Sequence, residues 1–252
     1  MSSTKPTTKA ATKATTKSKD KSDKSDKAKT HKLSLKGSSK LVAEFFQYSI
    51  NTILFQRGVY PAEDFSAVKK YGLTMLVSSD DQVKAYIKKI MSQLDKWMVN
   101  GKITKLIVVI TSKETGEDVE RWQFDVEIFN KPSKKSSKSK SSTTPSTSEN
   151  APTEGETPAP APAPAPEKTE AEIQLEIQSI FRQITASVTF LPELDGACTF
   201  NVLVYADADS EVPMEWGDSD AREIVNGEKV QLRSFSTANH KVGTMVSYRV
   251  ME

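Results

Sequence analysis

The side chains best able to do chemistry are few, because the 252-residue chain holds two histidines and one cysteine. His31 sits in a lysine-rich stretch, and His240 is followed by Lys241. A metal site would need His240 together with Cys198 or carboxylates, and no ligand-like spacing surrounds them. Cys198 and His240 could form a nucleophile–base pair. However, Cys198 opens a β-type run, and a free cysteine most often serves as a small buried hydrophobe. His240 reads more simply as a packed or hydrogen-bonded residue of the tail. Gly101, Gly116, Gly196, Gly217, Gly227 and Gly243 stand alone, so no glycine-rich phosphate cradle is formed. The expectation is a protein that is not an enzyme and uses no metal and no cofactor. The single cysteine rules out an internal disulfide and fits a reducing compartment.

Charge is unevenly placed. Residues 1–32 carry ten lysines and three aspartates, with Met1 and four alanines as their only apolar side chains. Residues 131–170 carry six lysines, five glutamates and eight of the twelve prolines, ending in an alternating Ala-Pro run. Neither segment contains Phe, Trp, Tyr, Ile, Leu or Val, so neither can offset the entropy of ordering its backbone. Both are expected to be disordered. The remainder is mildly acidic although the whole chain has a formal charge of +2. The lysine arm could touch phosphates in a salt-dependent way, but it has no aromatic side chain on which bases could stack. A solvated arm is the simpler reading, and no specific nucleic-acid partner is expected. No run approaches the roughly 18 apolar residues of a spanning helix, and the start has no apolar signal region. A soluble intracellular protein without a membrane partner is expected.

The elements that must position any site follow from periodicity. Gly37-Ser38-Ser39 predicts a helix start capped by Ser38 or Ser39. From there Leu41, Val42, Phe45, Phe46, Ile50, Ile53 and Leu54 predict a nearly enclosed helix that ends at Arg57-Gly58. Asp80 or Asp81 begins a second helix carrying Val83, Tyr86, Ile87, Ile90, Leu94 and Trp97 at helical spacing, and Asn100-Gly101 stops it. The runs 105–111 and 121–129 predict an antiparallel hairpin turning at Glu114-Thr115-Gly116. Ile173, Ile177, Ile180, Phe181, Ile184 and Val188 predict a third helix. Three further β runs are expected at 198–205, 230–235 and 242–250, with an acidic stretch from Asp207 to Gly227 that fits no regular element. The sum is an α+β fold, three helices on a small antiparallel sheet with a strand-rich tail. It is one domain over 33–252 interrupted by the 131–170 insert.

Five runs then carry a likeness: GSSKLVAEFFQYSINTILFQRGVYP (37–61), KYGLTMLVSSD (70–80), ERWQFDVEIF (120–129), FRQITASVTFLPEL (181–194) and LRSFSTANHKVGTMVSYRV (232–250). In this order they resemble the HORMA family, and within it the spindle assembly checkpoint members. The arm 1–32 and the long insert 131–170 depart from the family pattern. The resemblance implies a binding module that switches between an open and a closed fold. Its edge strand would be Cys198, Thr199, Phe200, Asn201, Val202, Leu203, Val204 and Tyr205. That strand would accept an extended partner peptide by strand addition, and a C-terminal "safety belt" would then trap the peptide.

The belt would involve Trp216, Val230, Leu232, Phe235, His240, Val242, Met245, Val246 and Tyr248. In the open state the tail strands would cover the edge strand; in the closed state they would cross the sheet and free it. Trp216 is either a clasp over the peptide or a core-filling aromatic, and Trp97 reads as core packed against the moving tail. Arg182, Gln183, Phe190 and Arg233 would form a self-association surface, and Leu35 would tune the balance between conformers. The implied partners are a coiled-coil kinetochore receptor, the activator subunit of the anaphase-promoting complex, a second copy in the other conformation, and a hexameric AAA+ remodelling ATPase. The implied location is the nucleus and kinetochore, and also the cytoplasm. The alternative client is that of the HORMA adaptor subunit of translesion DNA polymerase zeta.

Overall fold

Helix α1 (Leu35–Gln56) runs through the centre and packs against the other helices and strands. The computed structural model describes residues 34–129 and 168–250. The two segments expected to be disordered lie outside the described residues, apart from Lys168 to Glu170 at the end of the second. Those three are the approach, cap and first residue of α3, because Thr169 and Glu172 complete a reciprocal capping box. The start of α1 also differs from expectation. Ser34 is the cap, its hydroxyl accepting from the Gly37 amide at 3.1 Å. Ser38 and Ser39 are instead buried inside the helix, where tail residues and the Leu35 carbonyl satisfy them.

Helix α2 (Asp81–Val99) is capped by Asp80, and α3 spans Glu170–Ala186. Gly58 (φ 63°) and Gly101 (φ 66°) take the left-handed turns that end α1 and α2, a conformation that costs most other residues. The hairpin β1 (Phe65–Lys70) and β2 (Leu73–Ser78) forms a separate two-stranded sheet against α1. Only alternation with a Tyr-Gly turn marked it, and the sequence reading did not assign it.

The main sheet contains β3 (Ile103–Ser112), β4 (Asp118–Ile128), β5 (Cys198–Ala206), β6 (Glu228–Gln231), β7 (Phe235–Ser236) and β8 (His240–Tyr248). The expected hairpin is β3–β4. The strand order is β5-β3-β4-β8-β6, all antiparallel, with β7 also on β8. The run expected at 230–235 is split into β6 and β7, since Leu232 to Ser234 leave the ladder. No regular element forms between β5 and β6, as the acidic stretch implied.

One face of the sheet carries the core. Phe45 lies against Phe46, Phe124, Phe181 and Phe235, with ring centroids 4.8–5.8 Å apart in tilted and edge-on pairs. Such pairs add to the free energy of burial. Trp122, Phe124 and Val126 of β4 point to this side, so Arg121, Gln123 and Asp125 must point to the other. No helix among the described residues is long and apolar enough to cross a membrane.

Candidate functional site

Strand β5 bonds to β3 along its length and to no other strand among the described residues, so its second edge is open. An open edge is a row of backbone donors and acceptors able to pair with another chain. Phe200, Val202 and Val204 rest against the core, as the alternation required. Thr199, Asn201 and Tyr205 are exposed. Leu203 is a departure, because it is buried with Ile107 and Val109 on the face away from the helices. The amide of Val202 points off the sheet. It donates to the side chain of Asn201 at 2.9 Å and faces the Tyr86 hydroxyl at 3.4 Å. Tyr86 in turn donates to Asn201 at 2.9 Å. Side chains therefore occupy a donor that a paired strand would use.

The 207–227 segment bends around this edge. Its first turn is held by Lys102, whose carbonyl accepts from the Asp207 amide at 2.7 Å and whose ammonium pairs with Asp209. On the helix side Trp216 meets Trp97 of α2 edge-on at 5.1 Å, and the Trp97 indole donates to the Glu211 carbonyl at 3.0 Å. Lys89 lies 3.4 Å from Glu215. The segment then returns on the opposite face of the sheet. There the buried Arg121 guanidinium donates to the Ala221 carbonyl at 3.2 Å and sits 3.2 Å from Glu223. Arg222 grips Asp118 with two bonds of 2.7 and 2.8 Å.

Between this loop and β5 lie two adjoining cavities of about 410 and 380 Å³. Val202, Leu203 and Trp216 line both; Tyr86 and Asn201 line the first, and Trp97 and Val204 the second. A channel with an unpaired strand as its floor and a tryptophan at its wall suits an extended peptide.

Of the residues named for the belt, Trp216 alone stands beside β5. Val230, Leu232, Phe235, His240, Val242, Met245, Val246 and Tyr248 lie on or beside β6, β7 and β8, beyond β4. That is the closed of the two arrangements expected, with the tail across the sheet and β5 uncovered. Phe235 packs on Phe45 at 4.8 Å, and His240 is fully buried. The Ser38 hydroxyl lies 2.6 Å from both Thr237 Oγ1 and His240 Nδ1, joining α1 to the β7–β8 turn. Burial lowers the imidazole pKa to about 4, so His240 is neutral near pH 7. It is a packed residue rather than a base. Cys198 and His240 occupy opposite corners of the sheet, on strands separated by β3 and β4, so they form no pair. Burial pushes the Cys198 thiol up, which leaves it unreactive.

Of the four residues of the expected self-association surface, Gln183 and Arg233 are in direct contact. Arg182 bonds to Gln178 one turn earlier on α3, and the Gln183 carboxamide oxygen accepts from the Arg233 amide at 2.7 Å. Phe190 is exposed beside Tyr248, 6.2 Å between ring centroids. Leu35 begins α1 and is half-buried. The sequence reading placed Tyr86 among the apolar residues of α2, whereas it is exposed at the channel, and it missed the roles of Asp118, Arg121 and Arg222. A polar residue alternating with core aromatics on a strand normally faces water, and nothing local revealed that the 207–227 segment returns over Arg121.

Comparison with known proteins agrees with this fold. The HORMA domain profile matches residues 38–240. The mitotic spindle checkpoint component mad2 of Schizosaccharomyces pombe is 56% identical over 217 residues, covering 86% of this chain and 94% of its own. The human spindle assembly checkpoint protein MAD2A is 43% identical over 218 residues, covering 86% and 93%. A chain in the crystal structure of the mitotic checkpoint complex superposes with a TM-score of 0.68 at 54% identity, covering 85% of this chain and 99% of that one. Caenorhabditis elegans HTP-2 bound to the HTP-3 closure motif 1 shares the fold alone, with a TM-score of 0.63 at 14% identity and coverage of 87% and 89%.

Proposed function

The chain belongs to the HORMA domain family as a spindle checkpoint component of the MAD2 kind, and from that premise we propose that it entraps a partner peptide along β5. The observation that carries the proposal is the open β5 edge, enclosed by the Trp216 loop while the tail strands β8 and β6 lie on the far side of β4. Backbone pairing with the strand Cys198–Tyr205 supplies affinity, and the lined channel supplies selectivity. In the alternative packing, the tail strands, about 230–235 and 242–250, cover β5. A ligand able to bind only the uncovered edge shifts the balance by its own binding energy. Exchange between the packings requires the tail to leave Phe45, Ser38 and β4, so it is slow compared with ordinary docking.

In a cell this device acts as an adaptor. A closed copy held by a coiled-coil receptor at kinetochores recruits open copies through Arg182, Gln183, Phe190 and Arg233. These close on the activator of the anaphase-promoting complex and inhibit it, an assembly of the kind the mitotic checkpoint complex represents. The protein works in the nucleus and at kinetochores, and also in the cytoplasm. The 33–252 region acts as one domain interrupted by the 131–170 insert, and the 1–32 arm offers a handle to an AAA+ remodeller.

The test is retention on the immobilised full chain. It should hold the activator subunit of the anaphase-promoting complex and not the polymerase subunit bound by the translesion adaptor; the reverse result would transfer the client. Trp216→Ala removes a large aromatic from the channel wall, a loss of about 2 kcal/mol. Bound activator should leave that variant roughly ten to thirty times faster in a stopped-flow chase. Leu35→Ala should raise the closed fraction seen by ion-exchange chromatography, and an unchanged ratio would remove Leu35 from the switch.

A further inference from the structure

The loop that encloses β5 is fastened at its distal end by contacts that the capture mechanism, as stated, does not use. Arg121 is 1% exposed although it points away from the core, and its guanidinium holds the Ala221 carbonyl, the Gln123 side chain at 2.7 Å and Glu223. Asp118, three residues earlier on β4, takes both arms of the Arg222 fork and is itself oriented by the Thr111 hydroxyl at 2.8 Å. Bidentate Arg–carboxylate pairs combine charge with fixed geometry. The backbone of Arg222 has φ 45°, in the left-handed region that a long side chain seldom adopts. A strained residue persists where surrounding contacts over-determine it. Here those contacts are the two carboxylate bonds and the Arg121 bond one residue earlier. Just beyond, Ile224 is buried beside Gly227, so the segment enters β6 from a fixed point.

We infer that Asp118 and Arg121 of β4, with Arg222 of the loop, form a clasp that keeps the loop closed over β5 and sets how long a captured peptide stays. The inference rests on the capture reading. Peptide leaves the channel when the 207–227 loop lifts, and fastenings at three places resist that: Lys102 at the near end, Trp97–Trp216 with Lys89–Glu215 in the middle, and the clasp at the far end. The near pair is exposed to solvent on the Asp209 side, whereas Arg121 is buried and Asp118 largely so. The Lys89–Glu215 pair is exposed on both sides. Exposed pairs contribute little, so the far fastening is the strongest of the ionic ones. Releasing it also relaxes the Arg222 backbone. The clasp is thus poised to open as a unit, without unfolding β4.

Two variants separate a clasp from general stability. Asp118→Asn keeps the shape and removes the charge. Arg222→Asn removes the fork while placing at φ 45° a residue that accepts the left-handed conformation more readily. Judged on backbone strain alone, Arg222→Asn would leave the loop as firmly seated as before or more so. The clasp requires the opposite. Amide hydrogen exchange of the full, ligand-free chain should quicken about tenfold across 217–227 in both variants, with β3 and β4 amides and the melting temperature unchanged. Fluorescently labelled full-length activator of the anaphase-promoting complex, chased with unlabelled activator, should dissociate about tenfold faster from both. Exchange in 217–227 at the wild-type rate in either variant overturns the clasp, as does an unchanged dissociation rate. If wild-type chain captures no activator, the capture reading fails instead, and the exchange data alone decide whether the clasp exists.

Discussion

Replacing Glu120 by alanine should cost about 3–5 kcal/mol of folding stability, a large share of the 5–15 kcal/mol typical of a domain. Glu120 and Arg57 form an ion pair at 2.8 Å with side chains only 1% and 6% exposed. Burial pushes the Glu120 carboxyl up while the Arg57 guanidinium pulls it back. The same carboxylate accepts from the Trp122 indole at 2.5 Å, and Arg57 also donates to the Pro192 carbonyl. One pair therefore joins the end of α1, the central strand β4 and the loop that leads into β5. Truncating Glu120 leaves a guanidinium in the core with no counter-charge and an indole N–H with no acceptor, the costly way to break a buried pair. Urea unfolding followed by circular dichroism should show the lower midpoint. Arg57→Met combined with Glu120→Leu should recover the part of the loss that comes from the unpaired charge, since no buried ion remains, while the Trp122 indole stays without its acceptor. A single variant as stable as wild type would show that the pair is dispensable.

Acidification should unseat the tail through His240. Its pKa is lowered to about 4 by burial alone, against an ordinary value of 6.5. In the unfolded or detached tail the imidazole takes up a proton near pH 6.5, whereas in the packed tail it resists until about pH 4. Between those values the detached form binds more protons, so stability falls as pH falls. The contribution is complete above about pH 7 and shrinks by about 3 kcal/mol on reaching pH 4. The structural reason is local. His240 Nδ1 meets Ser38, while Nε2 is buried with no hydrogen-bond partner among the described residues, so an added proton there would enter a site that offers it no acceptor among them. Chemical denaturation at a series of pH values should show this slope in wild type. His240→Asn, which retains a polar atom near Ser38 but does not titrate, should flatten it. Equal slopes would assign the acid sensitivity to the carboxylates.

Much of the framework was legible in the sequence because it depends on local periodicity. Val83, Ile87, Ile90 and Leu94 could only line one face of a helix, and the two runs around Glu114-Thr115-Gly116 could only pair as a hairpin. Phe200, Val202 and Val204 were placed on the core face of β5 by alternation alone. Ser38 and Ser39 misled for the same reason. Serine beside glycine is a cap signal, and only the arrival of Thr237 and His240, some 200 positions away, makes a buried serine acceptable at position 38. The burial of Leu203 and Arg121 was hidden because the segment that returns over that face has no period of its own.

The sequence alone therefore determined the three helices, the β3–β4 hairpin and β5, the lack of phosphate-loop glycines and the family likeness, since composition, periodicity and motif order are properties of neighbouring residues. Only the tertiary structure decided that the tail lies beyond β4 rather than on β5, and that Asp118 and Arg121 fasten a loop a hundred residues later. The same tail strands alternate well enough to pair at either edge of the sheet. The choice between edges rests on long-range contacts, Phe235 on Phe45 and His240 on Ser38, that no local pattern encodes.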